Sequence, residues 1–145
     1  DATQLAVAGR VAQAGPPSPS HPLPMPPSKK IDYSFISLVD TDAAYSAQTH
    51  AAGVLVVVEA FSAEWGPCLA LGEHFYYSVI EHEDQGRRVK VVRAVTDGLN
   101  ALRMYRADSR SHFLFFVNGE QVAVVDGPVL PRIMALIRQH AQPAQ

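Results

Sequence analysis

The only thiol in the chain belongs to Cys68, which closes the stretch Ala63-Glu64-Trp65-Gly66-Pro67-Cys68 just after the apolar run Val54 to Phe61. A thiol at the start of a helix is drawn toward thiolate by the helix macrodipole, which would make it a nucleophile. Reversible dithiol exchange needs a second cysteine, and the chain has 1. Disulfide cycling within one chain is therefore excluded by composition. The histidines (His21, His50, His74, His82, His112 and His140) are dispersed, with no HxxxH pair and no cysteine partner. No metal centre is expected from them, and His74 and His82 read as part of a solvated helix face. No Ser-His-Asp set follows from spacing and no GxxxxGK[ST] phosphate loop occurs, so no cofactor is expected either.

A chain of 145 residues is long enough for one domain with a full core and an appendage. The formal net charge of -2 gives no reason to expect nucleic acid as a partner. The run Val54 to Val58 is far shorter than the ~20 residues a membrane span takes, so no membrane partner is expected. The first residues lack a basic flank and a long apolar core, so no signal peptide is expected. A solitary cysteine fits a reducing compartment, which points to the cytoplasm or cytoskeleton.

The organisation reads as a proline-rich extended arm over residues 1–30 and a globular domain over 31–142. Seven of the 11 prolines fall between Pro16 and Pro27. Proline fixes φ and removes a backbone donor, so the segment is expected as polyproline II, with PxxP spacings at Pro16/Pro19, Pro19/Pro22 and Pro24/Pro27. It reads either as a semi-rigid spacer or as a docking arm built on Pro16, Pro19, Pro22, Pro24 and Pro27.

Within the domain, Phe35 to Val39 reads as a strand, with Asp40 or Thr41 capping a helix over Ala43 to Ala52 that stops at Gly53. Val54 to Phe61 is apolar at nearly every position, as a central strand covered on both faces should be. Cys68, Leu71, Phe75 and Val79 recur at helical spacing. Arg88 to Val95 is the next strand, and Asp97 is expected to cap a short helix carrying Leu99, Leu102 and Tyr105. Asn118-Gly119 between two apolar runs is the favoured two-residue hairpin turn. Val129 to Ile137 marks a last amphipathic helix. The order is β-α-β-α-β-α-β-β-α, an α/β domain with a mixed central sheet flanked by helices.

That order, the Trp65-Gly66-Pro67-Cys68 loop, the Phe113-to-Glu120 strand and turn, and Val125-Asp126-Gly127 together resemble the thioredoxin fold over roughly Ile31 to His140. Tyr105-Arg106 and the Phe-Leu-Phe-Phe strand further resemble thioredoxin modules of ciliary proteins. These are the outer-arm dynein thioredoxin-like light chains and the thioredoxin parts of thioredoxin/nucleoside-diphosphate-kinase proteins. Thioredoxins carry Trp-Cys-Gly-Pro-Cys in the loop and a cis-proline followed by Thr beside it. Here the attacking cysteine is missing, and Ser111 and His112 stand at the proline and threonine positions. A non-proline cis bond costs ~2.5–4 kcal/mol, so the peptide before Ser111 is expected trans. Two registers remain open for the buried acid that serves the inner thiol in active members. Matching Ala-Glu-Trp puts Ala60 there, and counting back from Cys68 without a gap puts Glu59 there.

The resemblance and its departures imply a non-catalytic adaptor subunit of an axonemal dynein or microtubule-associated assembly. Trp65, Gly66, Pro67, Cys68, Ser111 and His112 would form a vestigial redox loop and candidate partner surface. Axonemal dynein chains or tubulin are the partners implied, and a basic interval from Arg87 to Arg110 would suit an acidic one. Trp65 is expected either as an exposed anchor or as a lid over the core. Cys68 is expected as a packed, inert thiol. The competing class is a monothiol redox enzyme or sensor acting through Cys68, and a third is a folding helper that grips peptides without chemistry.

Overall fold

The computed structural model describes residues 30–143; the proline-rich segment with Pro16, Pro19, Pro22, Pro24 and Pro27 lies outside the described residues. Its elements are β1 (Ile36–Val39), α1 (Asp42–Thr49), β2 (Leu55–Phe61), α2 (Gly72–Asp84), β3 (Arg87–Val95), β4 (His112–Val117), β5 (Glu120–Asp126), α3 (Leu130–His140) and β6 (Gln142–Pro143). The main sheet runs β1-β3-β2-β4-β5, with β1, β2 and β3 parallel and β4 and β5 antiparallel to their neighbours. β6 adds a short antiparallel pairing at Arg87 and Arg88 that closes the chain back onto β3.

β2 is buried at every position because both of its faces are covered. Leu55 and Val57 pack with Phe75, Phe113, Phe115, Ile133 and Ile137 beneath α2 and α3. Val56, Val58 and Ala60 pack with Tyr45, Leu99, Leu102, Leu114 and Phe116 on the α1 side. Side chains alternate along a strand, so Glu59 shares the face of Leu55 and Val57 and points under the Cys68 loop. Burial on the α1 side pushes the Tyr45 hydroxyl up to about 12, with Tyr105 adding to the shift.

Local signals account for most boundaries. Thr41 caps α1, its hydroxyl accepting from the Ala44 amide at 3.2 Å. Asn118 and Gly119 turn the β4–β5 hairpin with φ of 52° and 84°, the left-handed pair that the turn demands. The structure departs from expectation in several respects. The segment between β3 and β4 forms 3-10 helices over Thr96–Gly98 and Asn100–Tyr105 in place of an α-helix. Asp97 sits inside the first of them and accepts from the Ala63 amide at 2.9 Å, so it braces the cysteine loop and caps nothing. His82 is buried, not solvated, its Nδ1 2.7 Å from the Ser78 carbonyl.

The Asn-Gly turn sets a graded test. A Cβ on Gly119 would lie 2.7 Å from the His50 ring, whereas one on Gly66, at φ 78°, meets nothing within 4 Å. Gly66→Ala is expected to destabilise by about 1 kcal/mol from backbone strain alone. Gly119→Ala is expected to cost more, since His50 must also leave its contact with the Ser46 carbonyl. Urea unfolding of the two variants checks the order.

Candidate functional site

The loop between β2 and α2 is built by backbone. Ser62 receives the amides of Trp65 at 3.1 Å and Gly66 at 2.8 Å, and the left-handed Gly66 turns the chain into Pro67. Cys68 is extended (φ -79°, ψ 97°) and precedes a 3-10 turn over Leu69–Leu71, with α2 starting only at Gly72. The expectation that Cys68 lies just inside a helix is thus corrected: the regular helix begins one turn later. The Cys68 amide donates to Glu59 Oε2 at 2.6 Å, which ties the entrance of this turn to β2.

Glu59 organises everything around it. The same Oε2 accepts from the Ser111 hydroxyl at 2.7 Å, and Oε1 accepts from Arg93 Nε at 3.1 Å. The Glu59 side chain is 0% exposed and that of Arg93 14%. Arg93 is the direct register partner of Glu59 across β2 and β3, so the two side chains leave the sheet side by side. Three donors, one of them cationic, converge on one carboxylate. The carboxylate is well matched, whereas the buried Arg93 Nη2 has no hydrogen-bond partner among the described residues. The Glu59 register is the one realised, and Ala60 faces the opposite core. In this site Ser111 is a hydrogen-bond donor to the acid, and no peptide bond among the described residues is cis.

Trp65, Gly66, Pro67, Cys68 and Ser111 come together with Ser109, Arg110 and Pro128 around a shallow groove of about 300 Å³. Trp65 is 58% exposed, so it stands out from the surface and is not folded over the core. Cys68 is partly buried and packs against the apolar layer beneath α2. His112 is not in the groove lining. It is buried beneath the rim, with Nδ1 2.8 Å from Asp126 Oδ1 and Nε2 2.8 Å from Asp108 Oδ2. The ring thus bridges the two carboxylates, one at each nitrogen. The ring stacks on Tyr105 with centroids 4.3 Å apart. The Arg110 amide and then the His112 side chain hold Asp108 below the usual carboxylate range. Burial, followed by the charge of Asp126, holds the Tyr105 hydroxyl above its ordinary value. This clasp fixes the turn from Asp108 to Ser111 that forms one wall of the groove.

The basic interval is largely spent inside the molecule. Arg87 donates to the carbonyls of Arg138 and Ala141, Arg106 to those of Thr96 and Leu99, and Arg103 to that of Asn100. Among the described residues, no group of three or more His, Cys, Asp and Glu side chains is placed to hold a metal. The sequence leaves the acid open and presents Arg93 only as part of the basic interval, not as the partner of Glu59. Its signal is weak: Arg93 alternates in phase with Val89 and Val91, but so does Arg87, on a strand that also carries Arg88 and Lys90.

No family model matches the chain. It is similar to the dynein 14 kDa light chain of the flagellar outer arm of Chlamydomonas reinhardtii, with 27% identity over 107 residues, 73% of this chain and 81% of that protein. Among solved structures, thioredoxin O2 of Arabidopsis thaliana in its oxidised state matches with a TM-score of 0.58 at 19% identity, covering 78% of this chain and 100% of that one. The thioredoxin of Schistosoma mansoni matches with a TM-score of 0.55 at 23% identity, covering 74% and 97%. The domain has the thioredoxin fold, and its sequence resembles a flagellar dynein light chain.

Removing one member of a buried pair leaves the other charged and uncompensated, at a cost of about 3–5 kcal/mol. Arg93→Met and Glu59→Leu are each expected to destabilise on that scale. The double variant should fall well short of the sum of the two. A double-mutant cycle by urea unfolding measures that coupling, and additive losses would show that the pair does not act as a unit.

Proposed function

We propose that this chain is a non-catalytic thioredoxin-fold adaptor subunit, mediating protein–protein contacts in an axonemal dynein or microtubule-associated assembly of a cilium or flagellum. The observation that carries the reading is the state of the vestigial site. Its acid is committed to Arg93, Ser111 and the Cys68 amide, and no second thiol exists to complete a disulfide cycle. What the site retains is a rigid groove with an exposed indole at its edge, and tryptophan is among the residues enriched at binding hot spots. The similarity to a flagellar outer-arm dynein light chain supports the axonemal placement. No described helix is long and apolar enough to cross a membrane, which agrees with a cytoplasmic, cytoskeletal site without adding to it.

In this reading Trp65, Gly66, Pro67, Cys68 and Ser111 are contact surface, and His112 is the brace beneath it. Residues 31–142 act as the folded unit and residues 1–30 as the arm, whose prolines Pro16, Pro19, Pro22, Pro24 and Pro27 offer a second means of docking. Dynein chains are the favoured partners and tubulin the next, with neither nucleic acid nor membrane involved. A monothiol redox enzyme or sensor is the competing reading, and the partial exposure of Cys68 beside the groove is what favours it.

Purification of the tagged full chain from ciliated cells at mild salt tests the adaptor. A stoichiometric complex containing dynein chains is expected. Trp65→Ala is expected to weaken it by roughly tenfold or more, the loss that accompanies a hot spot. Recovery of the wild-type chain alone would remove the basis of the proposal.

A further inference from the structure

A second surface lies on the outer side of α2 and shares no residue with the Trp65 groove. A 3-10 turn over Tyr33–Phe35 leads into β1 and lays its rings against that helix. Tyr33 and Phe35 are 6.2 Å apart between ring centroids, Phe35 and Tyr76 5.7 Å, and Tyr76 and Tyr77 5.2 Å. This row of aromatics borders a cleft of about 400 Å³ floored by Phe35, Tyr76, Val79 and Ile80 and flanked by Asp32 and Glu83. Tyr77 remains 58% exposed and Tyr33 43%, so the ridge is more apolar than a solvent-facing helix side needs to be.

The charged side chains that line this cleft, Asp32 and Glu83, are both acidic, and Lys30 lies two residues before Asp32 in the chain. α2 carries Glu73, Glu81, Glu83 and Asp84 and no lysine or arginine, and its buried His82 is turned to the Ser78 carbonyl. Neither Asp32 nor Glu83 is ion-paired among the described residues. The Ser34 amide and then its hydroxyl hold Asp32 below the usual carboxylate range, so the cleft keeps its negative flank. An apolar floor between two carboxylates suits a side chain with an aliphatic stem and a cationic head. The stem covers the rings while the head reaches the acids, and the aromatic faces add attraction for the cation.

We propose that the Phe35–Tyr76–Ile80 cleft is a docking site for a basic segment of a partner polypeptide, one that inserts an arginine or lysine side chain between Asp32 and Glu83. This surface is independent of the Trp65 groove. An adaptor could therefore hold two partners at once, one on each.

The test uses the isotope-labelled full chain and a short amidated peptide of leucine, arginine and alanine, followed by amide NMR. Shifts are expected at Asp32 to Phe35 and along Tyr76 to Glu83. A peptide with glutamate in place of arginine should bind at least about tenfold more weakly. The combined Asp32→Asn and Glu83→Gln variant should lose affinity by a similar factor. Asparagine preserves the cap on Ser34 and Glu83 is exposed, so this variant is expected to fold, which its thermal melt checks. Glu83→Lys should abolish binding. Absence of binding by the basic peptide, shifts confined to the Trp65 groove, or undiminished affinity in the variants would each overturn the proposal. Success or failure here is read separately from the dynein co-purification, which turns on Trp65.

Discussion

One buried carboxylate sets the terms for the rest of the domain. Glu59 lies in the centre of a strand covered on both faces, where an unmatched charge would cost several kcal/mol. Its burial is sustained by Arg93 from the neighbouring strand, Ser111 from the start of β4, and the Cys68 amide from the loop above. These three donors belong to three separate stretches of chain. Satisfying one acid therefore fixes the loop, the approach to β4 and the phase of β3 together.

The same arrangement commits the acid to structural contacts. Here the oxygen nearest the loop already accepts from a backbone amide and a hydroxyl, and the other faces a guanidinium. The side chain that stands where thioredoxins hold a proline has become part of this network. The site's residues are still arranged as in a redox domain, yet their bonds are those of a structural core. Beneath the rim, His112 plays a comparable part by holding Asp108 and Asp126 together.

How much of this could be read from sequence depended on the range of the interaction. The Asn118-Gly119 hairpin, the buried β2 run and the α1 cap rest on neighbours within a few residues and are legible, the cap as either Asp40 or Thr41. The pairing of Glu59 with Arg93 spans 34 positions and depends on the strand register, which no local pattern encodes. For that reason the choice between Glu59 and Ala60 stayed open until the sheet was in view. Helical spacing from Cys68 places the start of α2 one turn early, because Cys68 is extended and a 3-10 turn over Leu69–Leu71 precedes the helix. His82 was misread although its signal was present, since it lies seven residues after the buried Phe75 and so returns to the same helix face. The grouping of five of the six loop and rim residues around one groove follows from the fold, whereas the exposure of Trp65 had no signature in the sequence.

The proposed non-catalytic role rests on Glu59 and its donors holding the loop as a structural element, with Cys68 packed beside it. Insulin disulfide reduction by the purified full chain, with dithiothreitol as reductant, tests it most directly. The expected rate equals that of dithiothreitol alone and is unchanged by Cys68→Ser. Catalytic turnover that disappears in the Cys68→Ser variant would contradict the account.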